Sequence, residues 1–238
     1  CHMKNKPEID FLIYKKTLLI ILLLSLSSLV FSQITLINPG IPLTESISYN
    51  QIVDGVVESI KVEVESVNED NNHWLEYRTF SREQEVFIKF DPDNLTAFYS
   101  EVWDKKADST VHSITQIIEN KKIVKDNELL ITDMYGFLLS LRGFPWEEEN
   151  SAEIVFLNGS SDFKLDLKIK GKETLQIDDK TYECWKVQIG MGGIMGAIFP
   201  KSYYWYTINA PHFLIRSEGS GMPRNPKTIL EIKSYSSK

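Results

Sequence analysis

The densest cluster of chemically suggestive residues in this chain is Gly190-Met191-Gly192-Gly193-Ile194-Met195-Gly196. Glycines at such spacing can cradle phosphates, but the details fail here. A phosphate loop needs glycine directly before Lys-Ser/Thr so that backbone amides wrap the anion, and Lys201-Ser202 follows Pro200 instead. The dinucleotide fingerprint would need glycine at 195, where Met195 stands. Gly192 and Gly196 form a GxxxG, but within an apolar run too short to span a membrane. Two readings remain: a pliant lid that adapts to an apolar ligand through Met191 and Met195, or a loop that packs on the core. His73, His112 and His212 have no His, Cys or carboxylate at a ligand spacing, so no metal site is expected. No Gly-x-Ser-x-Gly occurs, and no serine can be tied to a histidine and an acid. Carboxylates are plentiful, but sequence selects no pair of them for acid–base work. No catalytic residue and no cofactor is therefore assigned.

The aromatic run Tyr203-Tyr204-Trp205-Tyr206, with Trp185 and Phe199 nearby, puts large rings on both faces of one strand. Such rings either fill a core or line a cavity for an acyl chain or a sugar.

The elements that would position these residues are mostly strands. In Ile60-Lys61-Val62-Glu63-Val64-Glu65 apolar and charged residues alternate with the period of a half-buried strand. Residues 163–170 do the same over four apolar positions, and a sheet with one wet face is most often antiparallel. Further strands are expected at 73–79, 84–90, 95–104, 110–118, 152–157, 173–177, 181–189, 202–208, 212–218 and 227–235. Turns are expected at Asn158-Gly159, Asp91-Pro92-Asp93-Asn94, Lys170-Gly171 and Asp178-Asp179-Lys180, with a Gly/Pro loop over 219–226. One segment breaks the pattern. Residues 131–142 carry Met134, Tyr135, Phe137, Leu138, Leu139 and Leu141 without alternation, and predict a helix of about three turns. Thr132 or Asp133 would cap it, Gly143 would follow it, and Pro145 would stop it. Its apolar residues nearly encircle it, so it should lie buried across the concave face of a curved sheet.

Lys15 and Lys16, the apolar run 18–24 and Val30-Phe31-Ser32 read as a secretory signal peptide over 1–32. The apolar run is shorter than the roughly 20 residues of a membrane span. The mature domain would be 33–238, a single antiparallel β domain without a transmembrane span. Removing four lysines and two carboxylates with the leader takes the formal charge from −7 to −9. That acidity argues against nucleic acid as a partner. Only Cys184 would remain, so the domain is expected to be held by its core and not by a disulfide.

Three blocks carry a resemblance. Asp133 through Leu141-Arg142-Gly143-Phe144-Pro145 is similar to an Asp-to-Leu-Arg segment of the bacterial envelope family known as domain of unknown function 3108. Gly171-Lys172-Glu173 with Tyr182-Glu183-Cys184-Trp185-Lys186-Val187 resembles its Gly–Glu hairpin. Trp205-Tyr206 followed by Pro211-His212-Phe213-Leu214-Ile215-Arg216 resembles its closing strand pair. The likeness covers about residues 45–235, and the 190–196 cluster departs from it. It implies an exported β domain curved around a helix, as in lipoprotein-carrier and other lipid-binding half-barrels, and supplies no catalytic residue.

The expected fold is thus all-β and mainly antiparallel, a barrel or half-barrel with one short buried helix. The expected role is non-enzymatic binding of an apolar or amphipathic, lipid-like ligand in the cell envelope, either periplasmic or associated with the outer membrane. Phe137, Leu138, Leu141, Met191, Ile194, Met195, Trp205 and Tyr206 would line the site. An envelope assembly protein acting on a protein partner, and an envelope hydrolase, are the competing classes.

Overall fold

Alternation of buried and exposed residues runs through nearly every strand of the computed structural model, which describes residues 34–69, 72–115, 128–131, 135–156, 163–220 and 225–238. These belong to one compact unit, Gln33–Lys238. Its strands are β1 (Thr44–Val53), β2 (Val56–Glu69), β3 (Asn72–Phe80), β4 (Gln84–Phe90), β5 (Ala97–Asp104), β6 (Ser109–Thr115), β7 (Glu128–Ile131), β8 (Ser151–Phe156), β9 (Phe163–Ile177), β10 (Lys180–Gly190), β11 (Ser202–Thr207), β12 (Leu214–Gly219) and β13 (Thr228–Ser237). Helix α1 (Phe137–Ser140) runs into a 3-10 turn, Leu141–Gly143, and α2 (Met195–Ile198) lies between β10 and β11.

All thirteen strands form one open, curved sheet in the order β6-β5-β4-β3-β2-β1-β13-β12-β11-β10-β9-β8-β7. The chain starts at the centre with β1 and meanders out to β6. It resumes at the opposite edge with β7 and meanders back until β13 pairs with β1. Pairing is antiparallel except at β7–β8, which is parallel. Register shifts interrupt the β1–β13, β4–β5, β5–β6, β9–β10 and β11–β12 ladders. An extra residue on one strand bends it and increases its twist, so these bulges curl the sheet around its core.

The inner face carries that core, and α1 crosses it. Leu139 and Leu141 are buried in it. Phe137 packs edge-on against Phe156 and Tyr204, with centroids 6.0 and 5.7 Å apart. Polar contacts fix the helix as firmly. Ser140 Oγ donates to Leu95 O at 2.9 Å, and Tyr206 Oη donates to Leu138 O at 3.1 Å. The backbone N–H of Ile37 donates to Gly143 O at 3.0 Å. A side chain at 143 would meet that segment, since an added Cβ would lie 2.7 Å from Ile37 O, so glycine lets the two backbones approach.

Several expectations need correction. The predicted helix over 131–142 is shorter and starts later: Ile131 ends β7, paired with Phe156 of β8, and helical geometry begins after Gly136. Residues 132–134, with both expected caps, lie outside the described residues. A second short helix, α2, was not expected. Lys170-Gly171 is not a turn but the middle of β9, where Gly171 at φ +118° faces a register shift in β10. The expected strands at 163–170 and 173–177 are therefore one. Strands β1 and β7 were not foreseen. Asn158-Gly159, residues 116–118 and residues 221–224 lie outside the described residues, while the turns at 91–94 and 178–179 form as expected.

Candidate functional site

Three rungs of the central β1–β2 ladder build one wall of an inward cavity: Glu45 opposite Val64, Ile47 opposite Val62, and Tyr49 opposite Ile60. Alternate residues share a face of a strand, so the rungs stack over roughly 13 Å. Tyr77, Thr79 and Val86 extend the wall along β3 and β4, and Leu214 and Leu230 extend it along β12 and β13. Tyr135, Leu138, Leu139 and Arg142 close the opposite side. The enclosed volume is about 200 Å³.

The cavity is apolar apart from one end. There Arg142 forms a two-pronged ion pair with Glu45: Nη1 donates to Oε1 at 2.5 Å and Nη2 to Oε2 at 2.9 Å. Their side chains are 4% and 0% exposed. Arg142 Nε donates to Pro211 O at 2.8 Å, and Tyr235 Oη donates to Glu45 Oε2 at 3.3 Å. The planar guanidinium matches a carboxylate edge to edge, which is why arginine serves at such a buried pair. Burial pushes the Tyr49 phenol well above its ordinary range and raises that of Tyr77, with Arg142 pulling the other way on both, so both stay neutral. Tyr49 Oη donates to Leu214 O at 3.0 Å.

Exposure rises along the lining. Ile60, Thr79 and Leu230 are half-buried and Tyr135 is exposed, so the cavity is closed at Glu45 and opens toward the other end of the sheet. Register identifies that end. Val53 pairs with Thr228, Thr228 with Gly219, Glu218 with Tyr203, and Ser202 with Ile189. The β1–β2 hairpin and the β10–β11 loop therefore lie along the same edge of the sheet as the open end. Both present exposed apolar side chains there: Val56 and Val57 on the hairpin, and Ile194, Met195 and Ile198 on the loop, with Ile194 85% exposed.

Residues 71–218 match a family described as protein of unknown function DUF3108. The chain belongs to this family. Among curated proteins, none matches it. Similar solved structures include a DUF1329 family protein from Desulfovibrio piger, at 7% identity and TM-score 0.34, covering 84% of this chain and 88% of that one. A β-barrel-like DUF1849 protein from Brucella abortus stands at 8% identity and 0.40, covering 85% and 98%. The lipoprotein LppX of Mycobacterium tuberculosis stands at 14% identity and 0.29, covering 80% and 85%. These scores are too low to carry anything across to this chain.

Within this DUF3108 domain the residues singled out from sequence fall in three places. Leu138 lines the cavity, and Phe137, Leu141 and Tyr206 pack on the inner face around it. Met191 borders a separate polar hollow of about 190 Å³, together with Asp166, Lys168, Gln188 and Lys201. Ile194 and Met195 stand exposed beside it. Trp205 points to the outer face, where its indole N–H donates to Glu173 Oε2 at 3.0 Å and Lys186 lies over the ring at 5.1 Å. Its neighbour Tyr206 points inward, as strand alternation requires.

Sequence reasoning missed Glu45, Arg142, Tyr49, Ile60, Val62 and Val64 as site residues. The alternation in β2 marks the last three as inward-facing. Arg142 stood in the Leu-Arg block of the family resemblance. Glu45 carried no local signal. Among the described residues no cluster of His, Cys, Asp and Glu could hold a metal ion. His73 pairs with Ser66 Oγ at 2.8 Å, and His212 Nδ1 donates to Thr207 O at 2.9 Å.

Proposed function

We propose that this protein is exported to the bacterial cell envelope and there binds an apolar or amphipathic, lipid-like molecule, the ligand's apolar part lying in the cavity between α1 and the β1–β4 sheet. The single observation that carries this is the cavity itself: apolar walls, one closed end and one open end. Its volume of about 200 Å³ exceeds the roughly 150 Å³ of an engineered apolar cavity that takes up benzene. It suits a ligand segment of modest length, with the remainder emerging at the open end.

Leu138 is the cavity-facing helical contact, while Phe137, Leu141 and Tyr206 hold the helix at the right height. Ile194 and Met195 give the β10–β11 loop an apolar lip along the same edge of the sheet as the open end, while Met191 borders the polar hollow that Asp166, Lys168 and Gln188 line on the outer face. Trp205 supports β11 from outside. The leader read over 1–32 supports export, and among the described residues no helix is long and apolar enough to cross a membrane. Glu45 is the only carboxylate among the cavity's lining residues and is committed to Arg142, which weighs against a hydrolase.

Native mass spectrometry of the protein purified from expressing cells, with lipid extraction of the same sample, tests this reading. A discrete co-purifying mass released on denaturation supports it. A clean unliganded mass, with no uptake of added amphiphiles, overturns it in favour of protein–protein assembly, for which the open edges of β6 and β7 would be the contact strands.

A further inference from the structure

A buried arginine at the end of an apolar cavity would ordinarily mark a receptor for a fatty carboxylate, because the guanidinium fork and a carboxylate edge match. In this cavity that position is already taken. Both prongs of Arg142 are held by Glu45, and its Nε is held by the carbonyl of Pro211. Glu45 accepts a further hydrogen bond from Tyr235. The titratable groups facing the pair are the phenols Tyr49, Tyr77, Tyr206 and Tyr235, all displaced upward from the ordinary range, and His212 beside Pro211, whose imidazole burial and Arg142 hold below its ordinary range and so neutral at pH 7.5. The closed end therefore holds one positive and one negative charge, and its net charge is zero.

We propose that the Glu45–Arg142 pair makes the closed end of this cavity selective for an uncharged, hydroxyl-type head and excludes an ionised carboxylate head from it. The inference rests on the ligand-binding reading above and names the class of head group. A carboxylate that enters head-first has two options at the closed end. It can displace Glu45 from Arg142, which leaves a fully buried glutamate as an unpaired anion. Alternatively it can sit beside the intact pair, which places two carboxylates together in an apolar site with one cation between them. Either arrangement leaves an uncompensated buried negative charge. A hydroxyl carries one donor and two acceptor positions and can hydrogen-bond to either member of the pair without displacing the other.

Calorimetric titration with 1-octanol and with sodium octanoate decides the matter, using protein purified from cells expressing the full chain and freed of bound ligand. At pH 7.5 octanol is expected to bind at least roughly 30-fold more tightly than octanoate. Octanoate affinity should rise about tenfold per pH unit as pH falls toward its carboxyl pKa, while octanol affinity stays flat. Equal or tighter binding of octanoate at pH 7.5 overturns the inference but leaves the binding reading standing. Failure of both probes to bind overturns the two together. The variant Glu45→Gln leaves Arg142 with an unneutralised charge and should reverse the preference toward octanoate. An unchanged preference in the folded variant overturns the role given to Glu45. Should that variant not fold, the comparison of octanol with octanoate on the parent protein at pH 7.5 still decides the inference.

Discussion

Replacing Arg142 by methionine tests how much of the fold depends on the closed end of the cavity. Methionine retains most of the side chain's apolar length and removes only the fork. Three hydrogen bonds go with it: two to Glu45 and one to the Pro211 carbonyl. Glu45, with a side chain 0% exposed, then stands as a buried anion whose one remaining named partner is the Tyr235 hydroxyl at 3.3 Å. Breaking a buried ion pair by removing one partner costs about 3–5 kcal/mol, and the unpaired carbonyl alone accounts for roughly 1–3 of that scale. A loss of about 4 kcal/mol, with a urea m-value of ~2–3 kcal/mol/M for a domain of this size, moves the unfolding midpoint down by about 1.3–2 M. Equilibrium urea unfolding followed by tryptophan fluorescence measures it. Replacing Glu45 by methionine in the same protein removes the stranded charge, and the double variant should recover at least half of the loss. A single-variant loss below about 1 kcal/mol, or a double variant as unstable as the sum of the two singles, would refute the claim that the pair acts as a unit.

Four further outcomes follow from the same geometry. Val62→Phe fills the cavity from the middle rung of β1–β2, so it should abolish amphiphile binding in calorimetry while stability stays within about 0.5 kcal/mol. A penalty of about 1–3 kcal/mol would mean the space is already packed. Met195→Asp at the lip should slow or weaken ligand uptake without altering the urea midpoint, and unchanged uptake would remove the lip from the mechanism. Burial pushes the Cys184 thiol up to about 12, with nearby Glu173 adding to it, so iodoacetamide at pH 8 should leave Cys184 unmodified in the native protein and alkylate it in urea, as peptide mass mapping can locate. Burial also holds the His212 imidazole below its ordinary range, against the opposing pull of its bond to the Thr207 carbonyl. The unfolded chain then binds the proton more readily, so this contribution is complete above about pH 6.5 and is lost as pH falls through the folded pKa. His212 has φ +54°, which asparagine also tolerates, so the His212→Asn variant should lose less stability than the parent between pH 7 and pH 5, and parallel stability curves would contradict this.

Strands declared themselves in sequence wherever one face is apolar and the other charged, as in β2 and the first half of β9. β1 did not. Its outward residues are Ser46, Ser48 and Asn50, and its first inward residue is Glu45, so an ionic group stands where alternation calls for an apolar one. β7 reads as a short apolar run continuous with the helix, and length alone cannot divide the two. The turn expected at Lys170-Gly171 rested on glycine's freedom at positive φ, which the protein does use, but to accommodate a bulge inside a long hairpin. The helix was found by its lack of alternation, although pairing of Ile131 with β8 takes its first residue for the sheet. Site residues divided along similar lines. Leu138 was legible because a buried helix must turn some apolar side chains toward the sheet. The Glu45–Arg142 pair spans 97 positions, and no local period encodes a contact of that range.

That long range is itself informative about how the cavity and the fold depend on each other. The chain leaves the sheet's centre at β1 and returns to it only at β13, so the central pairing joins the two ends of the domain. Arg142, from the middle of the chain, bonds to Glu45 on β1 and to Pro211 ahead of β12, while Tyr235 on β13 bonds to the same glutamate. The closed end of the cavity therefore exists only once the first strand, the helix and the last strand have all come together. A ligand that fits there binds the folded state alone and stabilises it by mass action, about 2.7 kcal/mol when present at a hundred times its dissociation constant. Octanol should accordingly raise the urea midpoint of the parent protein and leave that of Val62→Phe unmoved. If octanol raised both midpoints equally, binding would have to lie elsewhere on the molecule, and the cavity between α1 and β1–β4 would be ordinary core.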